Sequence, residues 1–108
     1  MPDRRSSPRK TVDVFFNRFL DGYPYLCLAV DLSSSALLIE TFSEPETRAE
    51  RFALELRFPG DDDSLWLWAR RLWRRGQREA LEFVSLSCAA RNRIERYLGA
   101  AAQQASSV

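Results

Sequence analysis

The stretch YLCLAVDLSSSALLIET, residues 25–41, sets two apolar runs on either side of a short polar corner. Runs this short, bounded by turn-forming residues, read as buried strands. The corner, DLSSSA at 31–36, supplies the turn: Asp and Ser side chains accept hydrogen bonds from backbone N–H groups a residue or two further on, which steadies a chain that is leaving one strand and entering the next. The segment is therefore strand, corner, strand. Two questions remain: what an acid and three hydroxyls do there, and why the corner closes on Ala36 and not on a glycine.

The sequence on both sides continues the strand pattern. KTVDVFF (10–16) is rich in β-branched and aromatic residues and opens a strand. DGYP (21–24) makes a turn before YLCLAV, and EPETRAE (44–50) is a polar connection after LLIET. FALELRF (52–58) alternates apolar and polar residues, PGDDD (59–63) is a turn, and LWLWARRLW (65–73) has apolar residues on both faces and so needs cover on both. RRGQR (74–78) reads as a five-residue hairpin loop, and ALEFVSL (80–86) as the returning strand. Beyond it the period lengthens. From Ser87, an N-cap, the residues Ala90, Ile94, Tyr97, Leu98 and Ala101 fall on one helical face. Six short strands and one terminal helix predict a mainly β fold: a small six-stranded antiparallel β-barrel with a C-terminal α-helix. Residues 1–10 form a flexible basic arm, 11–102 the barrel and helix, and 103–108 a tail. The large area of an indole ring favours packing of Trp66 and Trp68 into the core or under the helix over an exposed stripe.

Composition excludes several classes. A chain of 108 residues suits one domain with one core. Its apolar runs fall short of the roughly 18 residues of a membrane span, and no apolar segment follows the basic start as a secretion signal does, so a soluble, cytoplasmic protein without membrane insertion is expected. Cys27 and Cys88 lack metal-ligand spacing and the chain has no histidine, so both read as reduced core thiols. Without histidine the usual general base and the Ser-His and Cys-His pairs are gone, and Asp61, Asp62 and Asp63 form a turn with no evident co-ligands. No enzyme, metal or cofactor is expected. A net charge of +1 and acidic loops weigh against nucleic acid, although Arg4 to Lys10 and ARRLWRRGQR (69–78) are locally basic.

Two features carry chemistry. RSSPR (5–9) places Arg5 and Arg9 around a proline just before the first strand, in a segment biased to extended conformations. Guanidiniums there can grip phosphates through paired N–H donors and stack on purine rings. In the corner, the Asp31 carboxylate and Ser33 hydroxyl can accept hydrogen bonds from the N1, N2 edge of a guanine. An arginine pair for phosphate and a carboxylate for guanine are complementary needs, although each feature alone also fits a solvated basic tail or an ordinary turn.

In this order and separation, RSSPR followed 22 residues after Arg9 by DLSSSA resembles the PilZ domain family. Its marks are RxxxR before the first strand, [D/N]xSxxG in a later corner, and a barrel ending in a helix. LELRFPG, LWLWARRLW and LEFVSLSCAARNRIERYL resemble its later strands and helix, so the likeness spans roughly residues 4 to 100. The resemblance implies a receptor for the bacterial second messenger cyclic di-GMP. Arg5 and Arg9 would hold phosphates and meet guanine, Arg4 would add a phosphate contact, and Asp31 and Ser33 would bind a guanine edge. The basic arm would fold onto the barrel with the ligand, and an unidentified bacterial signalling or motility protein would read the change. An alternative is a degenerate, adaptor-like PilZ domain with weak or lost binding that works through protein contacts, with Trp66, Trp68 and Trp73 and the acidic loops as contact features. Two departures bear on the choice. REALEF (78–83) stands where the family often has small residues or glycine, and Ala36 stands in place of the motif glycine. If that position needs φ > 0, alanine costs about 1–2 kcal/mol; if the glycine serves close approach, a methyl group stands in the ligand's way.

Overall fold

Asp21 and Gly22 decide where the first strand turns back. Both have positive φ, 52° and 84°, so Leu20 pairs directly with Tyr23 across a two-residue turn. A computed structural model describes the backbone of residues 10–106 and the side chains of residues 11–99. The strands are β1 (Lys10–Leu20), β2 (Tyr23–Leu32), β3 (Ala36–Thr41), β4 (Arg51–Leu56), β5 (Leu65–Arg75) and β6 (Arg78–Val84), followed by the helix α1 (Cys88–Ser106). All neighbours are antiparallel, and the sheet closes in the order β1-β2-β3-β6-β5-β4, so no strand is left as an edge. The expected six-stranded barrel with a terminal helix is the observed fold.

Alternation fills the interior. Val14 and Phe16 of β1, Cys27 and Ala29 of β2, Leu37 and Ile39 of β3, Phe52 and Leu54 of β4, Leu65 and Leu67 of β5, and Leu81 and Phe83 of β6 are all buried. The residues between them face outward, which is the two-residue period of a strand made physical. Ser87 caps α1 as its position predicts: its Oγ accepts the Ala90 N–H at 3.0 Å. Ala90, Ile94 and Leu98 are buried against the barrel, and Tyr97 stacks on Phe58 with ring centroids 4.5 Å apart. Arg93 reaches from the helix to Asp61 at 3.0 Å and to the Asp63 carbonyl at 2.8 Å, tying the acidic turn after β4 to α1. The helix thus packs at the end of the barrel where β4 hands over to β5. Among the described residues no helix is long and apolar enough to cross a membrane.

Three expectations need correction. The RRGQR loop is shorter than five residues: β5 runs to Arg75 and β6 starts at Arg78, leaving Gly76 and Gln77 as the turn. Gly76, at φ 59°, takes the left-handed conformation that a two-residue hairpin demands. Cys88 is exposed, whereas Cys27 is buried; Cys88 directly follows the cap, and the buried stripe of α1 begins only at Ala90. Trp66 and Trp68 are exposed by 57% and 59%. Leu65, Leu67 and Ala69 fill the barrel from the other face of β5, and α1 lies at the barrel end without covering these indoles. Phe19 leans on Trp66, with centroids 5.3 Å apart.

Candidate functional site

Two irregularities in the sheet build the site. Along β2, Asp31 shares the odd parity of the inward residues Cys27 and Ala29. A bulge between Ala29 and Asp31 inserts Val30, so Asp31 sits opposite Leu38 on the outer face while Leu32 returns inward opposite Leu37. Along β5, Trp73 shares the parity of inward Leu65, Leu67 and Ala69. A second bulge between Arg71 and Trp73 puts Arg71 opposite buried Leu81 and turns Trp73 outward opposite Ala80. Bulges of this kind re-aim side chains where an unbroken ladder would bury them. Leu38 and Ala80 are themselves partners. Asp31, Leu38, Ala80 and Trp73 therefore form one row across β2, β3, β6 and β5, spanning three inter-strand steps or about 14 Å.

The corner above this row is organised by Ser33. Its Oγ accepts the N–H of Ser35 at 3.2 Å and of Ala36 at 3.0 Å, and its own N–H donates to the Ala36 carbonyl at 2.9 Å. The Ser35 carbonyl in turn accepts the Phe83 N–H at 2.9 Å, which fixes the corner to β6. Ser33 is buried, with its oxygen engaged in the turn. Positive φ among non-glycine residues occurs at Asp21 and Ser85, not at Ala36, which enters β3 with ordinary strand geometry opposite Glu82. The alanine carries no left-handed strain here. What it adds is a methyl group on the wall of the site.

Together these residues line a cleft of about 350 Å³, with Asp31 at one end, Ser33, Ser35 and Ala36 above, Leu38 and Ala80 as floor, and Leu72 and Trp73 opposite. Trp73 is 43% exposed, with the Arg75 guanidinium over one face of its ring, 5.5 Å from the centroid. Exposed ion pairs frame the floor: Arg70–Glu82 at 2.7 Å on the corner side and Arg78–Glu40 at 2.9 Å on the other. A half-buried carboxylate, a flat apolar floor, an aromatic face and arginines at the rim suit a planar, N–H-bearing, anionic ligand such as a purine nucleotide. A larger groove of about 500 Å³ opens beside the start of α1, and it contains neither Asp31 nor the corner.

Of the residues singled out from sequence, Asp31, Ser33 and Ala36 come together in the cleft. Arg4, Arg5 and Arg9 lie outside the described residues. Trp73, which the sequence suggests only as a contact feature of an adaptor, completes the row. Sequence reading also missed a buried charge network behind the cleft. Arg18 of β1, 1% exposed, donates to Glu79 of β6 through both terminal nitrogens at 2.8 Å, and also pairs with Glu44 of the β3–β4 connection. Arg71 Nε donates to Glu79 at 2.9 Å, and the Cys27 thiol donates to Glu44 at 3.1 Å. The Phe52 ring lies 4.4 Å from the Arg18 guanidinium carbon and 5.3 Å from that of Arg71. Burial alone would raise the Glu79 carboxyl, but hydrogen bonds and charge from Arg18 and Arg71 outweigh it and hold the group below the ordinary carboxylate value. Burial, reinforced by Glu44, pushes the Cys27 thiol well above its usual range and keeps it protonated. Among the described residues no three His, Cys, Asp or Glu side chains are grouped to hold a metal.

Comparison with known proteins agrees with this architecture. Against solved structures, the chain superposes on the PilZ domain of YcgR from Escherichia coli with cyclic di-GMP, at 17% identity over 98% of this chain and 100% of that one, TM-score 0.70. It matches YcgR in complex with cyclic di-GMP at 15% identity, TM-score 0.72, and the Bacillus subtilis inhibitor of motility MotI/DgrA at 12%, TM-score 0.67. It covers 97% and 88% of its own length in those two matches and spans about half of each of those chains, 49%. At these identities the likeness is one of fold. No curated protein matches the sequence. The PilZ domain profile matches residues 3–100, nearly the whole chain, and the chain belongs to the PilZ domain family.

Proposed function

We propose that this chain is a cyclic di-GMP receptor of the bacterial cytoplasm that binds the dinucleotide across the outer cleft and relays its presence to a partner protein. One observation carries the reading: two independent bulges bring Asp31 and Trp73 onto the same outward row, on either side of the apolar floor and beneath the Ser33 corner. Family membership and the cyclic di-GMP complex of YcgR support the choice of ligand. Asp31 accepts from the guanine N1, N2 edge, and Trp73 offers a stacking face. Arg5 and Arg9, with Arg4 beside them, supply the phosphate-binding guanidiniums. Ser33, its oxygen already engaged by two amides, shapes the corner that presents Asp31 and lines the cleft. The role is binding, with no bond made or broken, so the chain is not an enzyme.

The alternative, an adaptor with weakened binding, draws on one observation, the Ala36 methyl on the cleft wall. Because Ala36 has ordinary φ, the difference between receptor and adaptor is one of space. Calorimetric titration of the parent chain, Asp31→Ala and Ala36→Gly with cyclic di-GMP separates the two. The receptor reading expects heat for the parent and its loss in Asp31→Ala. Binding only in Ala36→Gly would establish the adaptor, and no heat from parent or Ala36→Gly would end the receptor reading.

A further inference from the structure

The outer face of β4 and β5 carries a second feature that the ligand cleft does not use. Phe19, Ala53, Trp68 and Val84 form a row across β1, β4, β5 and β6, and Trp66 stands beside it on β5. The two indoles are more than half exposed, although burying a ring of that size is among the larger gains available to a fold. Contiguous apolar area left in water on this scale marks an interaction surface. Between the indoles and the start of α1 the face deepens into the groove of about 500 Å³, whose walls include Val84, Leu86 and Ala90.

Charge selects the occupant. The only charged residue lining the groove is Arg51, which is exposed and makes no ion pair among the described residues. Among the described residues no carboxylate lines it. The first turn of α1, which borders the groove at Ala90, also has no acidic residue, so the positive end of the helix adds to the sign set by Arg51. An apolar groove of positive sign lacks a carboxylate beside a large apolar side chain. A second copy meeting it by the same face brings another Arg51 and another helix start, not that carboxylate.

We propose that this groove docks a partner-protein segment that presents one or two large apolar side chains next to Asp or Glu. The proposal rests on the relay reading above and names the relay's output surface. It also places that surface next to the ligand cleft: Ala36 pairs with Glu82, Glu82 with Arg70, and Arg70 with Arg51, a single cross-strand row from the corner to the groove.

The test uses the full chain labelled with ¹⁵N and two short capped peptides, one alternating Glu with Leu and Phe, the other with Lys in place of each Glu. The acidic peptide should shift the indole N–H signals of Trp66 and Trp68 and leave that of Trp73 in place. Arg51→Glu should weaken it at least about tenfold and admit the basic peptide, since reversing one partner of a charge pair reverses the preference. The proposal is overturned if neither peptide moves the two signals, if both peptides bind alike, or if Arg51→Glu changes nothing. It is also overturned if sedimentation shows a dimer that Trp68→Ala dissolves, because the occupant is then a second copy. Cyclic di-GMP titration of Arg51→Glu should match the parent; a parent chain that binds cyclic di-GMP while neither peptide moves the two indole signals is a failure of this proposal alone.

Discussion

The two sides of the β5–β6 hairpin use the same residue types for opposite ends. Inside, Arg18 and Arg71 converge on Glu79; Arg18 and Glu79 are shut away from water, and the Arg71 side chain is only 19% exposed. Outside, Arg70–Glu82 and Arg78–Glu40 lie at the cleft rim, with side chains from about a third to a half exposed. A buried pair costs much to break because the surviving charge has no solvent to turn to, whereas an exposed pair is replaced by water at little cost. The inner charges therefore hold structure, including the bulge that turns Trp73 outward. The outer ones are available to an anionic ligand. Solvent, not side-chain identity, separates the two roles.

The largest effect is expected from the inside. Glu79→Ala should lower stability by about 3–5 kcal/mol, because it leaves Arg18 and Arg71 short of their shared acceptor, as measured by denaturant unfolding. The network also predicts a pH dependence. Glu79 titrates below its ordinary value when folded, so its contribution is complete above the unfolded carboxylate pKa and is lost as pH falls through the lower folded one. The parent should lose stability across that acidic window with a steeper slope than Glu79→Gln, and equal slopes would remove Glu79 from the account.

The outside is expected to trade affinity, not stability. Trp73→Ala should cost about 1–3 kcal/mol of cyclic di-GMP binding, the worth of one base-aromatic stack. Its unfolding free energy should stay within about 0.5 kcal/mol of the parent, as for an exposed residue. Ala36→Gly should tighten binding by removing the methyl and lower stability by about 0.5–1 kcal/mol through added backbone freedom; unchanged affinity would show that the ligand does not approach this wall. Arg70→Ala should change stability by less than about 1 kcal/mol and flatten the salt dependence of binding. A loss of stability as large as that of Glu79→Ala would erase the contrast between the two faces.

The barrel was legible because its punctuation is local. DG at 21–22, the polar corner, the short apolar runs and the Ser87 cap each act within a few residues, and each appears where the sequence puts it. The site was half legible. Asp31, Ser33 and Ala36 lie within one short corner, but strand parity alone would place Asp31 and Trp73 inside the barrel, and the two bulges that reverse them depend on pairing with β3 and β6. The buried network was illegible for a related reason: Arg18, Glu44 and Glu79 are far apart in sequence, and each reads as an ordinary polar residue. A signal was present in their spacing. Arg18 continues the inward series Val14, Phe16, and Glu79 precedes Leu81 and Phe83 by the same step of two, so a charge of each sign lands in the interior. Parity also hid the fate of LWLW: it correctly put Leu65 and Leu67 in the core but does not say whether anything covers the opposite face.

The central claim, that cyclic di-GMP lies on the row from Asp31 to Trp73, is tested most directly by the indole N–H spectrum of the full chain during titration with the dinucleotide. The account predicts that the Trp73 signal moves with ligand while Trp66 and Trp68 stay in place, and that Asp31→Asn abolishes the movement at the same ligand concentration. Saturable shifts at Trp66 and Trp68 with Trp73 unmoved would contradict it and place the nucleotide on the other face of the barrel.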